Sequence, residues 1–301
     1  MFGPLIASYM FFGGAAAGCC FVTCALSLLA PRERVADRTG RLRASRSYAR
    51  LIAGGLFASL VVLVIGCLCL VVDLGQPLRV LNLFLHPTAS YISLGTFAIA
   101  GLMLAEGLLA LAWWRRMRMG LPLVRALAVV AMLVSLVVML YTGLFLMQVQ
   151  VVPLWSTGPL VPVLFVVSSF TTGIALVLLA ACFSGAALAF WPTGLRLAHV
   201  DIACMAVEAV IIVVLLAQAG GSDVGRASVH AMLAGSYAPM FWLGVVLLGL
   251  VMPLLLELTH ARRPTTAIMM ATSMLVLAGG FAVRFCILGT GVNPLVALAF
   301  D

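Results

Sequence analysis

The sequence contains no lysine, and its charge is scarce and one-sided: nine acidic residues against seventeen basic ones, with charged residues only 9 % of the 301. An ordinary soluble domain carries roughly 25 % charged residues, so this shortage excludes one. Histidine is also rare. His86, His199, His230 and His260 fall in loops or at the ends of apolar runs, which speaks against a membrane haem, whose iron needs paired histidines within the spans. The eight cysteines lie inside apolar runs without the tight spacing of an iron–sulfur or zinc site, so they read as small packing residues. No basic residue precedes the first apolar run in "MFGPLIASYM", and the first helix is expected to be retained rather than cleaved as a targeting segment.

Hydrocarbon, by contrast, is abundant. Residues of hydrophobic type make up 64 % of the chain and the mean hydropathy is +1.24. Apolar runs long enough to cross about 30 Å of bilayer recur at roughly 4–29, 50–72, 88–112, 122–147, 160–190, 200–219, 238–258 and 266–289. The fold class is therefore an all-α polytopic membrane protein with eight transmembrane helices. It reads as one integral membrane domain over 1–301, in two four-helix bundles, 1–147 and 160–289. "PLIASYMFFGGAAAG" (4–18) weakly echoes "PVLFVVSSFTTGIAL" (162–176) at the start of each half.

The net charge of +8 and pI near 9.4 would suggest nucleic acid in a soluble chain. Here the arginines sit in short loops beside membrane lipid, so no nucleic-acid partner is expected. Seven arginines fall in the 30–50 connection, four in 113–125, one in 191–199 and two in 259–265, all on one side; Arg79 and Arg226 fall on the other. The positive-inside rule then puts both termini outside the cytoplasm, in a cytoplasmic (inner) membrane. Small residues in "FFGGAAAG" (11–18), "TTGIA" (171–175) and "SGAALA" (184–189) allow close backbone approach, which holds helices together where lipid gives no hydrophobic drive to associate.

With this orientation several unusual residues gather at the outer face: Tyr9, Asp73, Arg79 and His86, Tyr141, and Trp155. Taken singly, the aromatics suit an interfacial belt, and Asp73 and Arg79 suit a helix-end pair. Taken together they suit a shared pocket. Gly75 and Pro77 shape the turn after the second run.

The segments "YMFFGGAAAG" (9–18), "DLGQPLRVLNLFLHPTASYISLG" (73–95), "YTGLFL" (141–146) and "PLWSTGPLVPVLFVVSSFTTG" (153–173) resemble the NrfD/PsrC family, the membrane subunits of molybdopterin oxidoreductase complexes, and more distantly the DMSO reductase anchor subunit. The resemblance covers the first five spans. It implies a quinone-reactive membrane subunit that exchanges electrons between menaquinone or ubiquinone and a four-cluster ferredoxin-like iron–sulfur subunit, which serves a molybdenum or tungsten pterin catalytic subunit. It also implies that this chain itself holds no haem and no metal. By resemblance and topology, Tyr141 donates to a quinone oxygen, Asp73 or His86 exchanges the proton, and Arg79 orients Asp73. Gly13 and Gly14 leave room for a ring beside the first helix, and Tyr9 lines the same slot. Ser90, Trp155 and 151–160 are candidate docking contacts for the iron–sulfur partner.

Deeper in the spans lie Glu106, Glu208, Glu257 and Arg284. Ionisable groups in hydrocarbon are costly and default to a functional reading. Glu106, Glu208 and Glu257 are candidates for proton transfer between the cytoplasm and the pocket; equally, Glu106 and Glu257 are within reach of the arginine-rich face and could form salt bridges there. Asp201 reads as interfacial and structural. A proton-coupled secondary transporter is the alternative function, since eight spans, a repeat and buried carboxyls also suit a carrier. Against it, no two spans show matching mid-membrane Gly/Pro breaks, and the unusual residues gather at a surface.

The orientation is testable directly. A reporter that folds only outside the cytoplasm, fused after Ser156, is expected to be active, and the same reporter fused after Met119 silent; the reverse pattern overturns the assignment.

Overall fold

A computed structural model describes residues 3–31, 35, 40–42, 44–73, 75, 90–114, 119–149, 152–156, 158–260 and 265–291. Nine helices occur among them: α1 (Pro4–Leu29), α2 (Arg46–Asp73), α3 (Tyr91–Trp114), α4 (Leu121–Met147), α5 (Leu160–Phe183), α6 (Trp191–Ala219), α7 (Asp223–Leu233), α8 (π-helix Met240–Val251 continuing as α-helix Met252–His260) and α9 (Thr266–Gly289). All but α7 are long and apolar enough to cross a membrane. No strand occurs among the described residues beyond one isolated bridge, Arg41 to Gly120. The chain is a multi-pass, all-helical membrane protein.

Three departures from the sequence reading have clear local causes. The fifth span ends at Phe183 rather than near 190, because Gly185 adopts φ +66, the left-handed conformation that glycine takes without penalty. A 3-10 turn over Leu188–Phe190 follows, and α6 starts at Trp191, with Pro192 in its first turn, instead of near 200. The stretch expected as a connection at 191–199 is thus helical. The third departure is α7, a short helix between two spans, capped by the Ser222 hydroxyl, which accepts from the Gly225 N–H at 3.1 Å. Its Asp223 and Arg226 form an exposed ion pair.

Helices α1 and α5 lie at the centre. Of their most apolar stretches 67 % and 72 % are buried, against 28–44 % in the other six spans. They can be central because small residues let their backbones meet. A Cβ on Gly18 would collide with the Ser169 carbonyl, and one on Gly173 would collide with the Gly18 backbone. Helix α1 also packs on α2, α4 and α9, and α5 on α2, α4, α6 and α9. The two halves of the chain therefore meet most closely at the α1–α5 seam, with α2 and α4 against α5 and α9 against α1 adding to it. A similar close approach, Gly249 to Gly279, joins the π segment of α8 to α9.

Gly18→Val is expected to force α1 and α5 apart and to cost about 3 kcal/mol or more, at the upper end of overpacking penalties. Gly107→Ala, which faces open space in α3, is expected to be neutral or slightly stabilising. Thermal unfolding of both variants in detergent checks the pair; equal melting temperatures would sink the seam as the organising contact.

Candidate functional site

The residues read as one cluster lie toward one end of the bundle, on α1, α2, α3 and α4. Tyr9 and Tyr141 are buried, at 8 % and 6 % exposure, within one continuous apolar core. The Tyr141 ring fits against Gly95 of α3, where a Cβ would strike it. Its hydroxyl is buried with no hydrogen-bond partner among the described residues. An unpaired buried hydroxyl costs about 1–3 kcal/mol, so this phenol is held as a donor without an acceptor. Tyr9 stands beside Cys67 of α2.

The two glycines differ. Gly13 is buried, yet among the described residues nothing lies within 4 Å of the position a Cβ would take. Gly14 instead faces the Ser169 hydroxyl and the Arg284 guanidinium, 2.6 and 2.7 Å from a Cβ built there. Among the described residues, the room expected beside both glycines is left beside Gly13 alone. Asp73 ends α2 in an exposed position, its Oδ1 next to Gly3 at the start of α1. Arg79 and His86 lie outside the described residues. Trp155, expected at a docking surface, is buried: its indole N–H donates to the Ile287 carbonyl at 2.8 Å, and its ring covers Gly291. It anchors the end of α9. Ser90 remains exposed at the start of α3.

The membrane interior holds two separate polar systems. The first is built around Glu106, whose Oε2 has no partner among the described residues. Glu106 of α3 is fully buried, and the Ser59 hydroxyl of α2 is shared between Glu106 Oε1 and the Ala16 carbonyl, 2.7 Å from each. Cys20 lies beside the same carboxyl, with Cys24 Sγ 3.9 Å from Cys20 Sγ. No arginine forms an ion pair with Glu106 among the described residues, so its salt-bridge reading fails there.

The second system runs through the other half. Asp201 and Glu208 lie seven residues apart on α6, two turns along one face, and both are buried. Glu257 of α8 is also buried, and Asp201 lies within electrostatic reach of both glutamates. Asp201 Oδ1, Glu208 Oε1 and Glu257 Oε2 have no hydrogen-bond partner among the described residues. Ser168 and Thr171 of α5 stand beside Glu208. The Arg284 guanidinium of α9 donates to Ser168 Oγ at 3.0 Å, to Ser169 Oγ at 2.9 Å and to the Gly280 carbonyl at 3.1 Å. Phe11 and Phe165 rings flank it, 5.8 and 5.4 Å from the guanidinium carbon. Among the described residues it makes no direct ion pair; Ser168 stands between the cation and Glu208.

Asp201 is the residue whose carboxyl neighbours sequence reasoning missed. With α6 starting at Trp191 it sits ten residues, about 15 Å, into the helix and is buried. The seven-residue spacing to Glu208 was the available signal. Small cavities adjoin two of the three carboxyls: one lined by Glu257, Trp191, Gly194, Ala198 and Thr272, another by Glu208, Thr171, Gly249 and Gly279.

Comparison with known proteins places this architecture. The family model described as "Polysulphide reductase, NrfD" matches residues 1–296. The sequence is 27 % identical over 307 residues to the C subunit of polysulfide reductase from Wolinella succinogenes, covering 95 % of this protein and 92 % of that one. It is 28 % identical over 172 residues to protein NrfD of Escherichia coli K12, covering 56 % of this protein and 54 % of that one. The match thus runs through all eight spans, beyond the five whose motifs carried the sequence resemblance, and the chain belongs to the polysulphide reductase NrfD family.

Proposed function

We propose that this membrane subunit of a redox enzyme complex oxidises or reduces a quinone, menaquinone or ubiquinone, in the pocket bounded by Tyr9, Gly13, Asp73 and Tyr141. A quinone site needs an apolar slot, a donor to a carbonyl oxygen and a group that exchanges protons. The observation that carries the reading is the buried Tyr141 hydroxyl, which lacks an acceptor among the described residues; Tyr9 belongs to the same apolar core. Tyr141 donates to the quinone oxygen. Asp73, at the exposed rim, exchanges a proton with water; His86 can share that role and Arg79 orients the acid. Oxidation of one quinol releases two electrons and two protons. The electrons leave to an iron–sulfur subunit of the four-cluster ferredoxin type docked on the outer face near Ser90, and from there reach a molybdenum or tungsten pterin subunit.

The carboxyls of the second half supply a proton path on this reading. Glu257, Asp201 and Glu208 rise from the arginine-rich end of the bundle, and Ser168 with Arg284 continue outward from Glu208. Glu106 belongs to the separate polar system of the first half. A carrier function is less well supported, because the glycines at the seam and at the α8–α9 contact are used for close packing rather than for opening a mid-membrane site.

Tyr141→Phe, which deletes one hydroxyl, is expected to lower quinol turnover about tenfold or more, and Asp73→Asn to lower it comparably, with the complex still assembled. Asp201→Asn is expected to leave quinol oxidation near normal while reducing proton uptake from the arginine-rich side in vesicles. Unchanged turnover in both Tyr141→Phe and Asp73→Asn, in assembled complex, overturns the pocket.

A further inference from the structure

At the arginine-rich end of the bundle, the start of α2 and the end of α3 enclose a groove of about 260 Å³ lined by Arg46, Ala49, Arg50, Ala53, Trp113 and Trp114. Three features of this groove are unfavourable as they stand. Arg46 and Arg50 are one turn apart on the same helix face, where like charges repel. Both stand in the opening turns of α2, the positive end of the helix dipole, where cations are disfavoured. Neither forms an ion pair among the described residues, and no acidic side chain lines the groove. An anion seated between the two guanidinium groups relieves all three at once.

The indoles indicate what kind of anion. Trp113 is 3 % exposed and Trp114 66 %, and neither indole N–H has a protein acceptor among the described residues. Trp113 is fixed by an edge contact with Tyr48, whose own hydroxyl is occupied by the Leu26 carbonyl at 2.8 Å. Trp114 is fixed by Phe57, with ring centroids 5.4 Å apart. Below the polar mouth, exposed apolar side chains continue along both helices: Phe57 and Val61 on α2, and Leu108 and Leu111 on α3. A cationic mouth with indoles at headgroup level, running into an apolar track, matches a molecule with a phosphate above and hydrocarbon below.

We propose that the groove between the arginine-rich ends of α2 and α3 binds an anionic phospholipid, its phosphodiester between Arg46 and Arg50 and an acyl chain along Phe57 and Leu111. The site is independent of the quinone pocket, so either can fail without the other.

Native mass spectrometry of the full-length protein released from nanodiscs of equal phosphatidylglycerol and phosphatidylcholine tests this. Phosphatidylglycerol is expected to be retained about tenfold over phosphatidylcholine, and R46Q/R50Q to abolish that preference. Inorganic phosphate is expected not to displace the lipid, because it lacks the hydrocarbon tail that fills the apolar track. If R46Q/R50Q does not fold, Trp114→Leu, which keeps both charges, is expected to lower retention several-fold. Equal retention of the two lipids, an unchanged preference in either variant, or displacement by phosphate alone overturns the proposal.

Discussion

The close crossing of α1 and α5 is the contact on which the rest of the molecule depends. In hydrocarbon the helices gain nothing by hiding apolar surface from lipid, so they are held by tight backbone packing and by polar groups that find partners inside. Gly18 and Gly173 bring the two backbones together. One turn away, Gly14 leaves the volume that the Arg284 guanidinium fills, between the Ser168 and Ser169 hydroxyls and two phenyl faces. A buried cation of this size is tolerable only if nearly every donor is used. The serines of α5 and the Gly280 carbonyl accept from both terminal nitrogens, while Nε has no partner among the described residues, and the serine bonds tie the last helix to α5.

The same seam separates two kinds of interior polarity. On one side Glu106 accepts from Ser59 and stands beside Cys20, with its Oε2 unpartnered among the described residues. On the other side Glu257, Asp201 and Glu208 each keep an oxygen without a partner, and cavities reach the outer two of the three. Enclosed groups fix structure; groups with free acceptors beside cavities can exchange protons with water. On the proposed function, the second half moves protons and the first half holds the quinone, whose ring needs an apolar slot and a single well-placed donor.

The two faces of the bundle divide the work in a similar way. At one end the helix tips carry tyrosines, an aspartate and an anchoring tryptophan, and suit a lipid-soluble electron carrier meeting an external partner. At the other end the arginines and Trp113 and Trp114 suit anionic headgroups. A membrane subunit that hands electrons to a docked partner must keep its tilt and depth fixed, and lipid held at the opposite end does that.

Hydropathy alone determined the number of spans, their order and the arginine-rich side, because each depends on local sums: about twenty apolar residues cross the bilayer and the charges between them stay out. Tyr141, Asp73 and the buried acids were also legible as residues out of keeping with their surroundings. Which of them meet was not legible. A helix apolar on every side has no polar face from which its rotation can be read, so Gly13 and Gly14 looked alike although, among the described residues, one has nothing beside it within 4 Å and the other an arginine. Asp201 read as a lone structural acid until the packed α6 and α8 placed it, buried, within reach of Glu208 and Glu257. Trp155 looked like a surface residue until the end of α9 was found beneath it. Hydropathy is a property of segments, whereas partners are assigned by rotation and crossing, which only the packed bundle decides.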